Sequence, residues 1–368
     1  MVVNLSKDPV TGRRRQHWES VKGSKRNAEK RLAELLHDID IGGHVLKNDV
    51  ALGAYLDRWL EEYARPRVAP KTFEAYEHYV RRHLVRNLGG VRLQQLSTEH
   101  IQTFYAKCLS RGRLDGNGGL SARTVRHIHM TLHDALEDAV GTGLLIRNVA
   151  KTARLPLVDK VEIKTLDESG IRRLLEAAKP TAYHALFNTA ITTGLRRSEL
   201  LALRWSDVDL DFATISVNRS MHRLRDRTAK TAKSRRMVAL PPSTALLLRE
   251  ELSVRQGMET ILRAKSFSDD SLVFSGLDGQ PLNPDTVSQA WRRLVRSIGL
   301  GGVRFHDTRH THATLMLKQG VHPKIVQERL GHSTISTTLD TYSHVLTWVT
   351  SCCGRALRQF FGRLPTKR

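Results

Sequence analysis

Acidic side chains are in short supply: 37 Asp and Glu stand against 59 Lys and Arg in 368 residues, a formal charge of +22. Such a surplus resists self-association and favours a polyanion as partner. Arginine, whose planar fork suits bidentate phosphate contacts, dominates several of the clusters. Cysteine is nearly absent. Cys108, Cys352 and Cys353 make no CxxC pair and no even-numbered framework, which argues against a disulfide scaffold and for a reducing cytoplasm. Aromatics are only 6% of residues, pointing away from a β-sandwich and towards helices rich in Leu and Ala. No apolar run approaches the ~18 residues of a membrane span. The basic N-terminus has no apolar core of a signal peptide behind it. No internal repeat is evident. A soluble, cytoplasmic protein is expected, without membrane contact. What is present in quantity is apolar material, at 40%, enough for two or three ordinary cores in a chain too long for one compact domain.

The organisation follows from turn signals and periodicity. Residues 1–48 open on Lys7-Asp8-Pro9-Val10-Thr11-Gly12-Arg13-Arg14-Arg15, a turn-rich basic stretch between short strand patterns. Ala28, Leu32, Leu35, Leu36 and Ile39 then recur at helical spacing. Residues 49–155 read as four helices. Leu52, Tyr55, Leu56, Trp59, Leu60 and Tyr63 share one face. Pro70 opens a second helix carrying Phe73, Tyr76, Val80 and Leu84, ended by Gly89-Gly90. Thr98 starts a third with Ile101, Phe104, Tyr105 and Cys108. Ser121 caps a fourth with Val125, Ile128, Leu132, Ala135, Leu136 and Ala139. Residues 156–164 look like an extended linker, and Thr165-Leu-Asp-Glu168 reads as a capping box for a new helix. From 165 to 346 the pattern is mixed, mostly helical, with strands at 213–218 and 236–240. The fold class expected is mainly α with small β elements, α+β.

Four segments of the mixed region carry chemistry. In Thr193-Gly-Leu-Arg196-Arg197-Ser-Glu199, Gly194 breaks one helix and the next begins at once, so Arg196 sits at a helix start where backbone amides favour an anion. Glu199 is spaced to brace its guanidinium. Between the strand patterns, Arg223, Arg225, Arg227, Lys230, Lys233, Arg235 and Arg236 face one acid, a loop projecting charge towards a partner. In His306-Asp307-Thr308-Arg309-His310, a helix starting at Asp307 or Thr308 leaves His306 and Arg309 on one side. The same string has the i, i+4 histidine spacing of a zinc helix. No acidic third ligand follows at a fitting interval, and Arg309 would oppose a cation, so no metal is expected. Last come Gly331-His332 and, ten residues on, Tyr342, one of seven tyrosines.

Taken singly, each of these is ordinary. Together, two arginines, two histidines, a lysine and a tyrosine are what metal-free phosphodiester transesterification requires. A phenol of pKa near ~10 is a poor nucleophile until its proton is removed. Two guanidiniums neutralise the nonbridging oxygens as metal ions do in nucleases. A lysine can protonate the leaving oxygen and a histidine can relay the attacking proton. A covalent phosphotyrosine conserves bond energy, so neither ATP nor any cofactor is needed.

The strings TGLRRSELLALRW, KTAKSRR, HDTRHTHATLML and LGHSTISTTLDTYSHV resemble, in order and spacing, the motifs of the phage integrase or tyrosine recombinase family across residues 165–346. The resemblance implies a site-specific recombinase, integrating or excising a phage or mobile element. It implies Arg196 and Arg309 as phosphate clamp and Lys230 as general acid towards the 5′ oxygen, with Lys233 the fallback. His306 would assist proton transfer, His332 would bond the scissile phosphate, and Tyr342 would form a 3′-phosphotyrosine. Residues 49–155 resemble the core-binding, SAM-like domain, and residues 1–48 the three-stranded-sheet-plus-helix module that binds arm sites. Arg13, Arg14 and Arg15, with Arg223, Arg225, Arg227, Lys233, Arg235 and Arg236, are the expected DNA contacts. The implied partners are double-stranded attachment sites, three further copies in a tetramer on DNA, and accessory DNA-bending or directionality proteins. Such a chain would be bacterial or phage-encoded and nucleoid-associated.

Two departures stand out. The first strand of the arm-binding sheet is short or missing, since the chain reaches its turn by residue 8. After His344-Val-Leu346, where the family continues into an acidic Ala/Leu-rich helix, residues 347–368 run Thr-Trp-Val-Thr-Ser-Cys-Cys-Gly and then basic with no acid. An altered frame or a divergent terminus would produce this, and it bears on protomer docking rather than on the active-site set. The competing readings are a DNA-binding protein of the same fold with impaired recombination and, further off, a metal-dependent nuclease.

Overall fold

The computed structural model describes residues 2–7, 14–18, 20–21, 23–40, 48–159, 164–222, 225–228, 235–262 and 268–342. They fall into two units, divided at Lys160–Val161, and each is described by itself.

The first unit opens with β1 (Val2–Lys7) and β2 (Arg14–Trp18), paired antiparallel from Val2↔Trp18 to Lys7↔Arg14. Helix α1 (Lys25–Asp40) follows, with Ala28 and Leu32 half-buried on its apolar stripe. Among the described residues this sheet has two strands rather than the expected three, and the strand before the turn, expected to be short or missing, is present as Val2–Lys7. The rest of the unit is helical: α2 (Leu52–Trp59), α3 (Pro70–Tyr79), α4 (Thr98–Arg111) and α5 (Ala122–Gly141). Single π turns, Leu60–Ala64 and Val80–Leu84, extend α2 and α3. Ser97 and Ser121 cap α4 and α5 through bonds from the backbone N–H of His100 and Thr124. The four apolar stripes meet in one core, with Tyr63 and Tyr76 at its edge. Its polar atoms are satisfied across helices: the Tyr55 hydroxyl donates to Ala135 O at 2.6 Å and Trp59 Nε1 donates to Asp138 at 2.7 Å.

The second unit begins at α6 (Glu168–Ala178). Its cap is Asp167, whose carboxylate accepts from Gly170 N at 2.7 Å, so the expected Thr165–Glu168 capping box does not form. Two residues nearer the helix, the shorter acidic side chain reaches the free amide directly. Next come α7 (His184–Thr193) and the single turn α8 (Arg197–Leu200). A three-stranded antiparallel sheet then forms from β3 (Val208–Asp209), β4 (Thr214–Val217) and β7 (Arg236–Ala239), in register Val217↔Arg236 and Thr214↔Ala239. Ile215, Val217 and Val238 turn inward at the period-two spacing of a half-buried strand. Between β4 and β7 lies a hairpin the charge pattern had masked, β5 (Arg219–His222) with β6 (Arg225–Thr228). Helices α9 (Pro242–Leu262), α10 (Pro284–Ser297), α11 (Asp307–Lys318) and α12 (Pro323–Leu330) complete the unit, and residues 335–342 are helical. Two cores hold it together. The larger has Trp291 fully buried, edge-on to Phe187 and Phe305 at 5.1 and 5.4 Å, with its indole N–H satisfied by Val303 O. The smaller gathers Ala313, Leu317, Val326 and Leu330 around Tyr342.

Candidate active site

The site is built where α7 and α12 end and α8 and α11 begin. Helix α7 stops at Gly194 in the left-handed region, φ 66°. A Cβ there would come within 2.8 Å of the His312 ring and 2.9 Å of the Leu330 side chain, so glycine is required for both reasons. The chain re-enters a helix two residues later with Arg196 as N-cap. The sequence suggested that outward-facing amides there would favour an anion. Instead α8 is one turn long, and Glu199 reaches back to accept from Arg196 N at 2.8 Å. The anion-binding capacity of this corner lies in side chains.

Arg309, on the first turn of α11, is 2% exposed and, among the described residues, bonds to carbonyls alone: Nη1 donates to Gly194 O at 2.9 Å and Nη2 to Leu330 O at 2.6 Å. Both acceptors lie at helix C-termini, where unsatisfied carbonyls and the negative end of the helix dipole welcome a cation. Burial, reinforced by the charge of Arg196, pulls Arg309 down to about 9, still above neutrality, so it stays charged. Arg196 Nη2 donates to the next carbonyl along, Gly331 O, at 3.0 Å, and its Nη1 to Glu199 at 2.8 Å. The two guanidiniums are therefore anchored on consecutive carbonyls, with His332 the following residue.

Glu199 serves two arginines. Arg236, at the start of β7, donates Nη2 to Glu199 Oε2 at 2.9 Å, Nη1 to Oε1 at 3.2 Å, and Nε to Arg329 O at 2.7 Å. Burial alone would raise the Glu199 carboxyl, but the bonds and charge of Arg236, with the charge of Arg196, hold it below the usual range. With Arg196 and Arg236 on this one carboxylate and Arg309 held on carbonyls beside them, the corner is left strongly cationic. A further arginine, Arg329, donates Nε to His312 Nε2 at 3.0 Å, and His312 Nδ1 bonds Ile191 O at 3.1 Å. This pins α12 to α7.

The histidines and the tyrosine line the other side. Exposed His306 is the N-cap of α11, and its ring meets that of His310 edge-on at 5.3 Å. His310 Nδ1 lies 2.8 Å from the Tyr342 hydroxyl. Tyr342 is 1% exposed, and burial pushes its phenol up to about 12 against the opposing pull of Arg309. His332 Nδ1 pairs with the buried Thr338 hydroxyl at 2.8 Å. Burial first, then the charges of Arg309 and Arg196, lower His332 to about 4, so it is neutral at pH 7.

Of the residues singled out by sequence, Arg196, His306, Arg309, His332 and Tyr342 come together. Lys230, Lys233, Arg13 and Arg223 lie outside the described residues, as does the chain beyond 342. Arg14 and Arg15 lie on β2, and Arg225 and Arg227 on β6. Arg235 is exposed, but Arg236 is 7% exposed on its side chain and turned into the framework under Glu199, not out along a solvated edge. Its place as the first residue of β7, opposite Val217, carries it inward. Sequence reasoning missed Thr338 and Arg329, which bear no motif signal. It met His310 only as half of a zinc-like spacing, whereas here the Nδ1 of His310 is engaged by Tyr342. Among the described residues no group of three His, Cys, Asp or Glu is arranged to hold a metal ion.

The comparisons with known proteins bear directly on this corner. Residues 164–347 match the Phage integrase family, and residues 51–109 match the phage integrase N-terminal SAM-like domain. The chain is 29% identical over 346 residues to a tyrosine recombinase XerC-like protein of Caldanaerobacter subterraneus, covering 88% of this chain and 86% of that one. It is 28% identical over 352 residues to an integrase of Streptomyces ambofaciens, covering 92% and 87%. In fold it is similar to the Tn1549 transposon integrase in complex with a circular intermediate DNA, with a TM-score of 0.68, 19% identity, and 80% and 95% of the two chains covered. It is also similar to lambda integrase solved as a tetramer on a Holliday junction, with a TM-score of 0.58, 21% identity, and 89% and 92% covered. Since the first of these family matches spans half its length and includes every element of the site just described, the chain belongs to the phage integrase family.

Proposed function

We propose that this protein is a site-specific DNA recombinase that breaks and rejoins strands through a 3′-phosphotyrosine on Tyr342. The observation that carries the reading is the pair Arg196 and Arg309 on the consecutive carbonyls of Gly331 and Leu330, with one carboxylate among three guanidiniums and the Tyr342 phenol in the same cluster. A phosphodiester seated there meets fixed positive charge without reorganisation, the most effective form of transition-state stabilisation. Neutral His332, oriented by Thr338, is a hydrogen-bond partner for a nonbridging oxygen. Lys230, with Lys233 in reserve, is the donor for the leaving 5′ oxygen, and His306 assists proton transfer. The basic run of residues 223–235, with Arg235 exposed, and the arginines of β2 supply DNA contacts. Residues 1–48 form the arm-site module, 49–155 the core-binding domain, 156–164 the linker and 165–346 the catalytic domain. Its substrate is double-stranded attachment-site DNA of a phage or mobile element in a bacterial cytoplasm, and four copies act together, as in the lambda integrase assembly, with accessory bending proteins.

A nicked duplex whose cleavage releases a short fragment tests the chemistry. In the presence of chelator it should trap the protein covalently, and Tyr342→Phe should leave no adduct. An adduct that persists in Y342F, or cleavage that needs a divalent ion, overturns the reading. Failure to form tetramers on the full site would favour the DNA-binding protein with impaired exchange, given the basic composition of residues 347–368.

A further inference from the structure

We infer that His310, with His306 assisting from beside its ring, is the residue that accepts the phenolic proton of Tyr342 when the tyrosine attacks DNA; the inference rests on Tyr342 being the nucleophile. His310 Nδ1 stands 2.8 Å from the Tyr342 oxygen, within the 2.6–3.2 Å reach required of a general base. No other hydrogen-bond partner of that hydroxyl occurs among the described residues. A phenol is a better acid than a neutral imidazole, so the hydroxyl donates and Nδ1 accepts, which leaves the imidazole proton on Nε2. His306 has the motif position but not the contact: its ring meets the ring of His310, one helical turn away, and no bond joins it to Tyr342.

The placement is fixed from both sides. His310 is held by α11, whose first turn is tied down by Arg309 on two helix ends. Tyr342 is held in the small core beside Ala313 and Leu317 of that same helix. The charged and titratable groups around His310 are His306, Asp307, Arg309 and Arg304 from its own helix and the turn before it, Tyr342 from the 335–342 helix, and His332 after α12. Burial and the cationic neighbours favour the neutral ring, which is the form able to accept a proton. An incoming phosphate adds negative charge to this setting and so favours the imidazolium at the moment it forms.

The step balances. The Tyr342 O–H bond breaks and its proton passes to Nδ1 of His310. The tyrosine oxygen bonds to phosphorus, the bond from phosphorus to the 5′ oxygen breaks, and that oxygen takes a proton from a separate donor. Religation reverses each transfer, with His310 returning the proton to the phenol.

Single-turnover adduct formation on the nicked duplex tests this with His310→Ala, His310→Asn and Tyr342→Phe in the full chain, with melting curves as a check on folding. His310→Ala should slow the adduct roughly 10²–10³-fold, and added imidazole should restore much of the rate. His310→Asn, which keeps an acceptor near the Nδ1 position but cannot take a proton, should stay slow. A His310→Asn variant at wild-type rate overturns the proposal, because accepting a hydrogen bond would then suffice. So does folded His310→Ala that imidazole fails to revive, or that reacts as fast as or faster than the wild type, the behaviour of a latch. Should His310→Ala fail to fold, the rate of His310→Asn decides alone. If Tyr342→Phe still forms adduct, the nucleophile itself is misassigned; if it forms none, any of the other failures falls on His310 alone.

Discussion

Glu199→Gln isolates the one carboxylate that makes the arginine cluster tolerable. Gln has nearly the volume of Glu, so no cavity opens; what is lost is the charge that faces Arg236 and Arg196 at 2.9 and 2.8 Å, and an amide N–H is set against a guanidinium. Both Glu199 and Arg236 are at least nine-tenths buried. Removing one partner of a buried ion pair costs about 3–5 kcal/mol, and at about 1.4 kcal/mol per tenfold that is roughly a hundred- to several-thousand-fold in an opening equilibrium. The cost should be local. Amide hydrogen exchange by mass spectrometry, read on peptides from α7 and α12, should accelerate by that factor, while peptides from α4 and α5 should not change. The pH dependence follows from the sign of the shift. The folded carboxyl lies below its unfolded value, so its contribution is complete above the ordinary carboxylate pKa of about 4.3 and is lost as pH falls through the folded value. The gap between wild type and variant should therefore close in acid. Equal exchange rates at pH 7 would refute the idea that this carboxylate holds the corner together.

Gly194→Ala should destabilise by more than about 1–2 kcal/mol, the left-handed cost alone, because its Cβ also meets His312 and Leu330 below 3 Å; a urea titration monitored at Trp291 would show it. Thr338→Val removes the only described partner of His332 Nδ1; adduct formation should slow by about fivefold, matching the ~1 kcal/mol of one hydrogen bond, with DNA affinity unchanged in a gel-shift titration. His310, His312 and His332 are each lowered to about 4, mainly by burial. Depressed histidines stabilise the fold fully above the ordinary value of about 6.5 and lose that contribution as pH falls towards 4. Their imidazole signals in DNA-free protein should accordingly stay neutral at pH 5.5, and a titration near 6.5 would contradict the burial argument.

The apolar stripes of α2 to α5 were legible because a helix repeats its signal every three or four residues, and nearly every position named on them is buried. Of the site, the residues that carry a motif were legible: Arg196, His306, Arg309, His332 and Tyr342 meet although up to 146 positions separate them. Contacts that involve a residue outside those motif positions were not. Nothing local marks Arg236 as a partner for Glu199 across 37 positions, or Thr338 as the partner of His332. A basic loop and a basic strand end look alike in composition, and only the β4–β7 register turns Arg236 inward. The hairpin β5–β6 was hidden for the same reason, since Arg219–Thr228 has polar and basic residues where strand alternation would be read.

The anchoring of Arg309 and Arg196 on the carbonyls of residues 194, 330 and 331 has a consequence for the order in which competence is acquired. A ribosome that has delivered the chain through α11 has already supplied both arginines, Glu199, His306 and His310. It has not supplied the carbonyls of Leu330 and Gly331, the second anchor of each guanidinium. Until α12 closes, each guanidinium is held at one end only, and Tyr342 lies further along the chain still. Anchoring the arginines on the last turn of α12 thus makes their full aim a late event of synthesis, acquired in the same stretch of chain that brings the tyrosine.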